Sequence, residues 1–163
     1  MVRFEMAIMS VWGTAAVYLP GPAFPIICVI DGQRGGIDVA LIKRFKEEYG
    51  EEYEIIVLGT NAVATAQMMK ARANRGASGK NTIVQTVPQA HVILGTLSIV
   101  LAHAMMGEVA PRIAEAILSA PAPKLLLPLT LARVEIVGLA PEPLPHLVEK
   151  IVNQRLREVM KHV

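Results

Sequence analysis

The fold turns on the stretch "IICVIDGQRGGIDVALIKRFKEEYG", Ile26 to Gly50. Ile26–Ile30 is a continuous run rich in β-branched residues, with Pro25 before it and Asp31-Gly32 after it. Such a run reads as a strand buried on both faces. Ile37, Ala40, Leu41, Arg44, Phe45 and Glu48 then recur at helical spacing, with Lys43, Lys46 and Glu47 opposite, and Gly50 stops the helix. Glu54–Leu58 is a second strand, ended by Gly59-Thr60-Asn61. Two apolar strands joined through an amphipathic helix imply a β-α-β unit with parallel strands and a right-handed crossover.

The remaining chain repeats this alternation. Ala62–Asn74 is rich in good helix formers and Gly76 closes it. Asn81–Ala90 carries a helical face at Ile83, Val84, Val87 and Ala90, although its β-branched residues and Pro88 also suit a strand. A short helix is preferred, because His91–Gly95 is the next strand and two parallel strands cannot be joined so tightly. Ser98–Met106 and Ala110–Ser119 read as helix, and Lys124–Pro128 as a buried strand. Val134–Gly138 reads as a further strand, near enough to Pro128 for a hairpin. Leu144, Leu147, Val148, Ile151, Val152, Leu156 and Val159 mark a closing amphipathic helix. The expectation is a single α/β domain over residues 26–163, three layers deep, with a mostly parallel sheet of about five strands.

Residues 1–25 are expected to be an apolar extension outside that core. Met6 to Ile30 carries no charge and is long enough to span a bilayer, but Pro20, Pro22 and Pro25 interrupt it. A membrane or export segment and an extra packed element are the alternatives. The whole chain has 163 residues, 53% hydrophobic and 18% charged, enough to bury a core of Ile, Leu, Val, Ala and Met. A net charge of +2 with no basic stripe argues against nucleic acid as a partner. Cys28 stands alone within the first apolar run, which excludes an internal disulfide and reads as an inert core thiol.

In an open α/β sheet, ligands bind beyond the carboxyl ends of the strands. The residues just past each strand therefore make up the candidate site. Asp31, Gly32, Gln33, Arg34, Gly35 and Gly36 come after the first strand, and Gly59, Thr60 and Asn61 after the second. Gly95, Thr96 and Ser98 come after the third, and Leu129 and Thr130 after the fourth. A glycine loop feeding a helix offers unpaired N–H groups and the positive end of the helix dipole, which suits phosphate or carboxylate. Arg34 would add a cation, and Asp31 a ligand for a metal, a ribose hydroxyl or the loop itself. The plain alternative is a tight turn.

The known motifs fit poorly. Gly32-x-x-Gly35-Gly36 departs from the dinucleotide fingerprint, and no acid ends the second strand. Gly79-Lys80-Asn81-Thr82 lacks P-loop spacing and reads as a helix start or surface turn. His91, His103, His146 and His162 occupy no obvious strand-end position, and His103 reads as a core or interface histidine on an apolar helix near Glu108. No His/Asp/Glu spacing suggests a metal. Met105-Met106-Gly107-Glu108 suits either core or a subunit contact.

At Asp31-Gly32-Gln33, Gly59-Thr60-Asn61, "HVILGTLSIVLAHAMMGEVAPRIAEAI" and "KLLLPLTLARVEIVG", the chain resembles a bacterial family, domain of unknown function 3842, over about Ile26 to Ile151. The resemblance implies a Rossmann-like fold and shared strand-end residues, with no reaction to carry over. The family pattern has glycine where this chain has Arg34 and Asp38, which raises the question of whether a positive φ is forbidden there. Together these readings point to a cytoplasmic, Rossmann-like protein that holds a small phosphorylated ligand, a nucleotide or dinucleotide, over Gly32–Gly36. A nucleotide-dependent enzyme using Asp31, and a homo-oligomeric assembly protein without ligand, are the alternatives. The substitution expected to separate them is Gly35→Val, which should abolish ligand uptake and leave the fold intact.

Overall fold

The computed structural model describes residues 24–33, 35–129 and 133–163. The expectations for residues 1–23, Arg34 and Thr130 lie outside the described residues. Five parallel strands form one sheet: β1 (Ile26–Asp31), β2 (Glu54–Gly59), β3 (Arg75–Ser78), β4 (Val92–Thr96) and β5 (Lys124–Leu127). Their order is β3-β2-β1-β4-β5. Helices α1 (Gly36–Tyr49), α2 (Ala62–Lys70), α3 (Lys80–Thr86) and α4 (Pro111–Ser119) connect them. The chain closes with α5 (Leu144–Glu149), a π-helical turn (Lys150–Arg155) and α6 (Leu156–Met160).

Strand alternation builds two cores. Ile27 and Val29 of β1, with Ile55, Val57, Val92 and Leu94, pack against Leu41, Ile42 and Phe45 of α1, Met68 of α2 and Val148, Val152 and Leu156 of the closing segment. Ile26, Cys28 and Ile30, with Ile56, Leu58 and Ile93, pack against Ile83 of α3 and Ile113 and Ile117 of α4. Every residue of β1 is buried, as a central strand covered on both faces requires. Burial pushes the Cys28 thiol up to about 12, so it is an inert core group as expected.

Three expected elements differ. Val134–Gly138 is not a strand: its apolar side chains lie exposed, and Gly138 turns the chain with φ of 87°. The fifth strand is instead β3, Arg-Gly-Ala-Ser, an exposed edge with no apolar pattern to announce it. The expected helix Ser98–Met106 is one 3₁₀ turn, Leu97–Val100, after which the chain breaks into left-handed turns. By contrast, residues 81–90 are helical as preferred, in α3 and a 3₁₀ turn over Val87–Gln89, and Gly79-Lys80 is the start of α3.

Candidate functional site

The strand order fixes where a ligand can reach. From β1 the chain moves outward through β2 and β3, then returns to pair β4 against the other side of β1. The switch point therefore lies between β1 and β4, and a crevice opens beyond their carboxyl ends. Ile30 stands beside Gly95 in that pairing, so the next residues, Asp31 and Thr96, face the crevice together. A cavity of about 280 Å³ opens there, lined by Asp31, Gln33, Ile37, Thr96, Ser98, Met105 and Leu129.

The loop from β1 to α1 closes through a turn in which the Gly35 N–H donates to the Gly32 carbonyl at 3.0 Å. Gly35 has φ of +68°, and a Cβ there would lie 3.0 Å from the Ala64 carbonyl oxygen of α2. Gly35 is thus a packing glycine against a backbone. Gly36, by contrast, is exposed and faces open space. This corrects the expectation for Gly35→Val: a β-branched side chain at that φ and that contact would disturb the fold itself. Gly59 and Gly95 are also packing positions, where a Cβ would meet the Thr65 hydroxyl and the Ile30 carbonyl oxygen respectively.

Asp38 lies in the first turn of α1 in helical backbone, so the question of a forbidden φ does not arise there. Its side chain is fully buried, and among the described residues no N–H or O–H reaches either carboxyl oxygen. The group it faces is the Asp31 carboxyl. Two carboxylates are acceptors only, so a hydrogen bond between them requires a proton. Burial first, then the Asp31 charge and the facing Asp31 carboxyl, push Asp38 well above the usual carboxylate range. Asp31 is also raised by burial, against backbone hydrogen bonds from Gly32 and Asp38. The Gly32 N–H donates to Asp31 Oδ1 at 2.7 Å. Asp31 faces the cavity and Asp38 sits behind it.

A third carboxylate arrives from far along the chain. Glu108 Oε2 accepts from the Gln33 N–H at 2.8 Å, from Asn61 Nδ2 at 2.9 Å and from the Thr60 hydroxyl. Burial pushes the Glu108 carboxyl up, but the bonds from Thr60, Gln33 and Asn61 outweigh it and leave it below the ordinary carboxylate value. Asn61 also caps α2, its Oδ1 accepting from the Ala64 N–H at 2.8 Å, and its Nδ2 reaches the Gln33 carbonyl. Asn61 therefore ties the first two loops to one point.

The structure thus brings Asp31, Gly32, Gln33, Thr60, Asn61, Thr96 and Ser98 to one mouth. Among the described residues Thr96 Oγ1 is buried there without a hydrogen-bond partner, and Ser98 donates to the Leu129 carbonyl at 3.5 Å. Met105 and Glu108 complete the mouth, unpredicted as site residues, and Asp38, expected at the site, lies buried behind Asp31. His103 is exposed on the loop carrying Glu108, which corrects its reading as a core histidine on a helix. Met105 lines the cavity, while Met106 is 95% exposed. His91 lies at the opposite end of the sheet, where its Nδ1 accepts from the Ile26 N–H. Among the described residues, no group of three or more His, Cys, Asp or Glu is placed to hold a metal ion, and no helix is long and apolar enough to cross a membrane.

An all-parallel, three-layer α/β domain with a polar crevice at its switch point is a Rossmann-like architecture. The chain belongs to the family described as Domain of unknown function (DUF3842), whose sequence pattern it matches over residues 26–160. No curated protein and no solved structure matches it.

Proposed function

We propose that this protein binds a small phosphorylated ligand, a nucleotide or dinucleotide among them, across the carboxyl edge of its sheet. One observation carries the reading: Gln33 N–H, Thr60 Oγ1 and Asn61 Nδ2, from two successive strand-to-helix loops, converge on a single carboxylate oxygen. Three convergent donors define an oxyanion position, and the adjoining cavity supplies room for the rest of the molecule. Asp31 would accept from a ligand hydroxyl and Thr96 would orient it. The ligand class and the cytoplasmic location belong to this proposal.

The test is thermal unfolding of the protein with NAD, NADP, ATP, GTP, coenzyme A or inorganic phosphate. A ligand at one hundred times its Kd adds about 2.7 kcal/mol of stability. At about 2–4 °C per kcal/mol for a domain of this size, the midpoint should rise by roughly 5–10 °C. A rise with one nucleotide, lost in Thr60→Val, supports the reading. No rise with any of them sinks it and directs attention to the particle's mass.

A second reading, catalysis, is favoured by the Asp31–Asp38 pair. A cavity-facing carboxyl backed by a fully buried one, both raised above the usual carboxylate range, is suited to general acid–base work. It parts from pure binding on turnover of whichever ligand shifts the midpoint.

A further inference from the structure

We propose that the Glu108 carboxylate is a displaceable internal occupant of this oxyanion site, and that a phosphoryl or carboxylate group of the ligand evicts it and frees the loop that carries it. The inference rests on the ligand-binding reading above and deepens it.

The loop, residues 101–108, is held in an unusual shape. His103, Met105 and Met106 have φ of 68°, 56° and 57°, and Gly107 has φ of 88°. Side-chain-bearing residues at positive φ are costly and persist only where surrounding contacts hold them. The contacts of Glu108 with Gln33, Thr60 and Asn61 are such a hold, joining positions 75 residues apart for Gln33. Val109, the next residue, is fully buried in the second core, so the loop has a fixed root from which to swing. Met105 of the loop forms part of the cavity wall and also lines a groove of about 530 Å³ that runs along the loop itself. Lifting the loop would merge the two spaces.

The cavity under the loop has apolar walls at Ile37, Met105 and Leu129, with Asp31, Thr96 and Ser98 set among them. Thr96 is only 3% exposed, its Oγ1 has no partner among the described residues, and it lines the same space as Asp31. An unpartnered buried hydroxyl is suited to a guest that accepts or donates a hydrogen bond. A guest anion and Glu108 cannot hold the same three donors at once, and like charges at contact repel. Gly32 adds a steric signature of the closed state. A Cβ there would lie 2.5 Å from Met105 Sδ and 2.9 Å from Glu108 Oε2, both flexible ends on the loop, and 2.6 Å from the Thr60 hydroxyl that Glu108 accepts from, and its backbone lies outside the left-handed region.

Two readouts on the full chain test this: calorimetric titration with inorganic pyrophosphate and with malonate, and amide hydrogen exchange of residues 101–108. Glu108→Ala should bind at least one of the two anions ten-fold or more tighter than the unaltered protein, with Glu108→Gln between them. Thr60→Val in the Glu108→Ala background should lose most of that gain. Exchange across the loop should rise in Glu108→Ala, in Gly32→Ala, and in the unaltered protein saturated with the anion. Preference for pyrophosphate assigns the site to phosphoryl groups, and preference for malonate to carboxylates. Equal affinity in the unaltered protein and Glu108→Ala, with loop exchange unmoved by ligand, would overturn eviction and leave the ligand-binding reading standing. Faster loop exchange in Glu108→Ala with no binding of either anion would overturn the ligand class, and eviction with it.

Discussion

Two adjacent glycines in the loop after β1 should respond oppositely to the same substitution. Gly35 sits at φ of +68°, where an L side chain costs about 1–2 kcal/mol. Its new Cβ would also stand 3.0 Å from the Ala64 carbonyl oxygen and 3.2 Å from Ala64 Cα, both backbone atoms of α2. Backbone cannot rotate aside as a side chain would, so the loop must lift by a few tenths of an ångström. Together these put Gly35→Ala at about 1–3 kcal/mol of destabilisation. At about 2–4 °C per kcal/mol the midpoint should fall by roughly 2–12 °C. Gly36 has nothing within 4 Å of its would-be Cβ and begins α1. Gly36→Ala should therefore leave stability unchanged or raise it by up to about 1 kcal/mol, the gain of replacing glycine in a helix. Thermal and urea unfolding of both variants measure this directly. A Gly35→Ala protein within 1 °C or so of the unaltered one would refute the claim that this turn is pinned on α2.

Asp38→Asn should change how stability depends on pH. The fold raises the Asp38 carboxyl well above the usual range, while the unfolded chain releases that proton above about pH 4. Between those two values the folded state binds more protons, so stability falls as pH rises from about pH 4 through the raised carboxyl value. Asparagine binds no proton, so the variant's advantage should grow across that span and level off above it; unfolding midpoints of the two proteins that stay parallel as pH rises from about pH 4 would contradict the raised carboxyl. Tyr49→Phe should cost about 1 kcal/mol, because the Tyr49 hydroxyl donates to the Val152 carbonyl at 2.6 Å inside the π-helical turn. Urea unfolding with an unchanged slope and a lower midpoint is the expected result, and an unchanged midpoint would show that the carbonyl is satisfied without it.

The fold is legible wherever burial leaves a mark on residue type. β1, β2 and β4 are apolar because helices cover both of their faces. α1 shows its period because its far side meets water. β3 carries no such mark: an exposed edge strand needs only backbone pairing to β2, and Gly76 is there because a Cβ would lie 2.7 Å from Met69 Sδ. Val134, Ile136 and Val137 mislead in the other direction. They have strand-like side chains, yet they are 45%, 46% and 93% exposed and join no sheet. Of the mouth, the strand-end rule finds Asp31, Gln33, Thr60, Asn61 and Thr96, since parallel strands must deliver their ends to one edge. Glu108 escapes it because the loop that brings it breaks helical spacing after Val100 and uses left-handed turns that no composition signals. Asp38 stands out in the sequence only as a departure from glycine. An acid three residues into a helix usually compensates the dipole, and only its full burial against Asp31 reveals a different state.

Charge at the mouth constrains what can bind there. Burial raises both carboxyls of the Asp31–Asp38 pair and so opposes their carrying two charges together, while the donors on Glu108 favour its charged form. A phosphoryl group settling beside a retained Glu108 at about 4 Å would meet a repulsion of about 4 kcal/mol at an effective dielectric of about 20. That is close to a thousand-fold in affinity. A ligand that takes the Glu108 donors instead exchanges one anion for another and leaves the local charge almost unchanged. Eviction has its own cost, since Gln33, Thr60 and Asn61 already hold a carboxylate that needs no capture from solution. A free phosphate gains only those three bonds and is at a disadvantage against the resident group. A ligand whose remaining atoms also reach Asp31 and the unpartnered Thr96 hydroxyl gains interactions that Glu108 does not make. Inorganic phosphate should therefore bind the unaltered protein far more weakly than the complete ligand does, and removing the Glu108 carboxylate should narrow the difference between them.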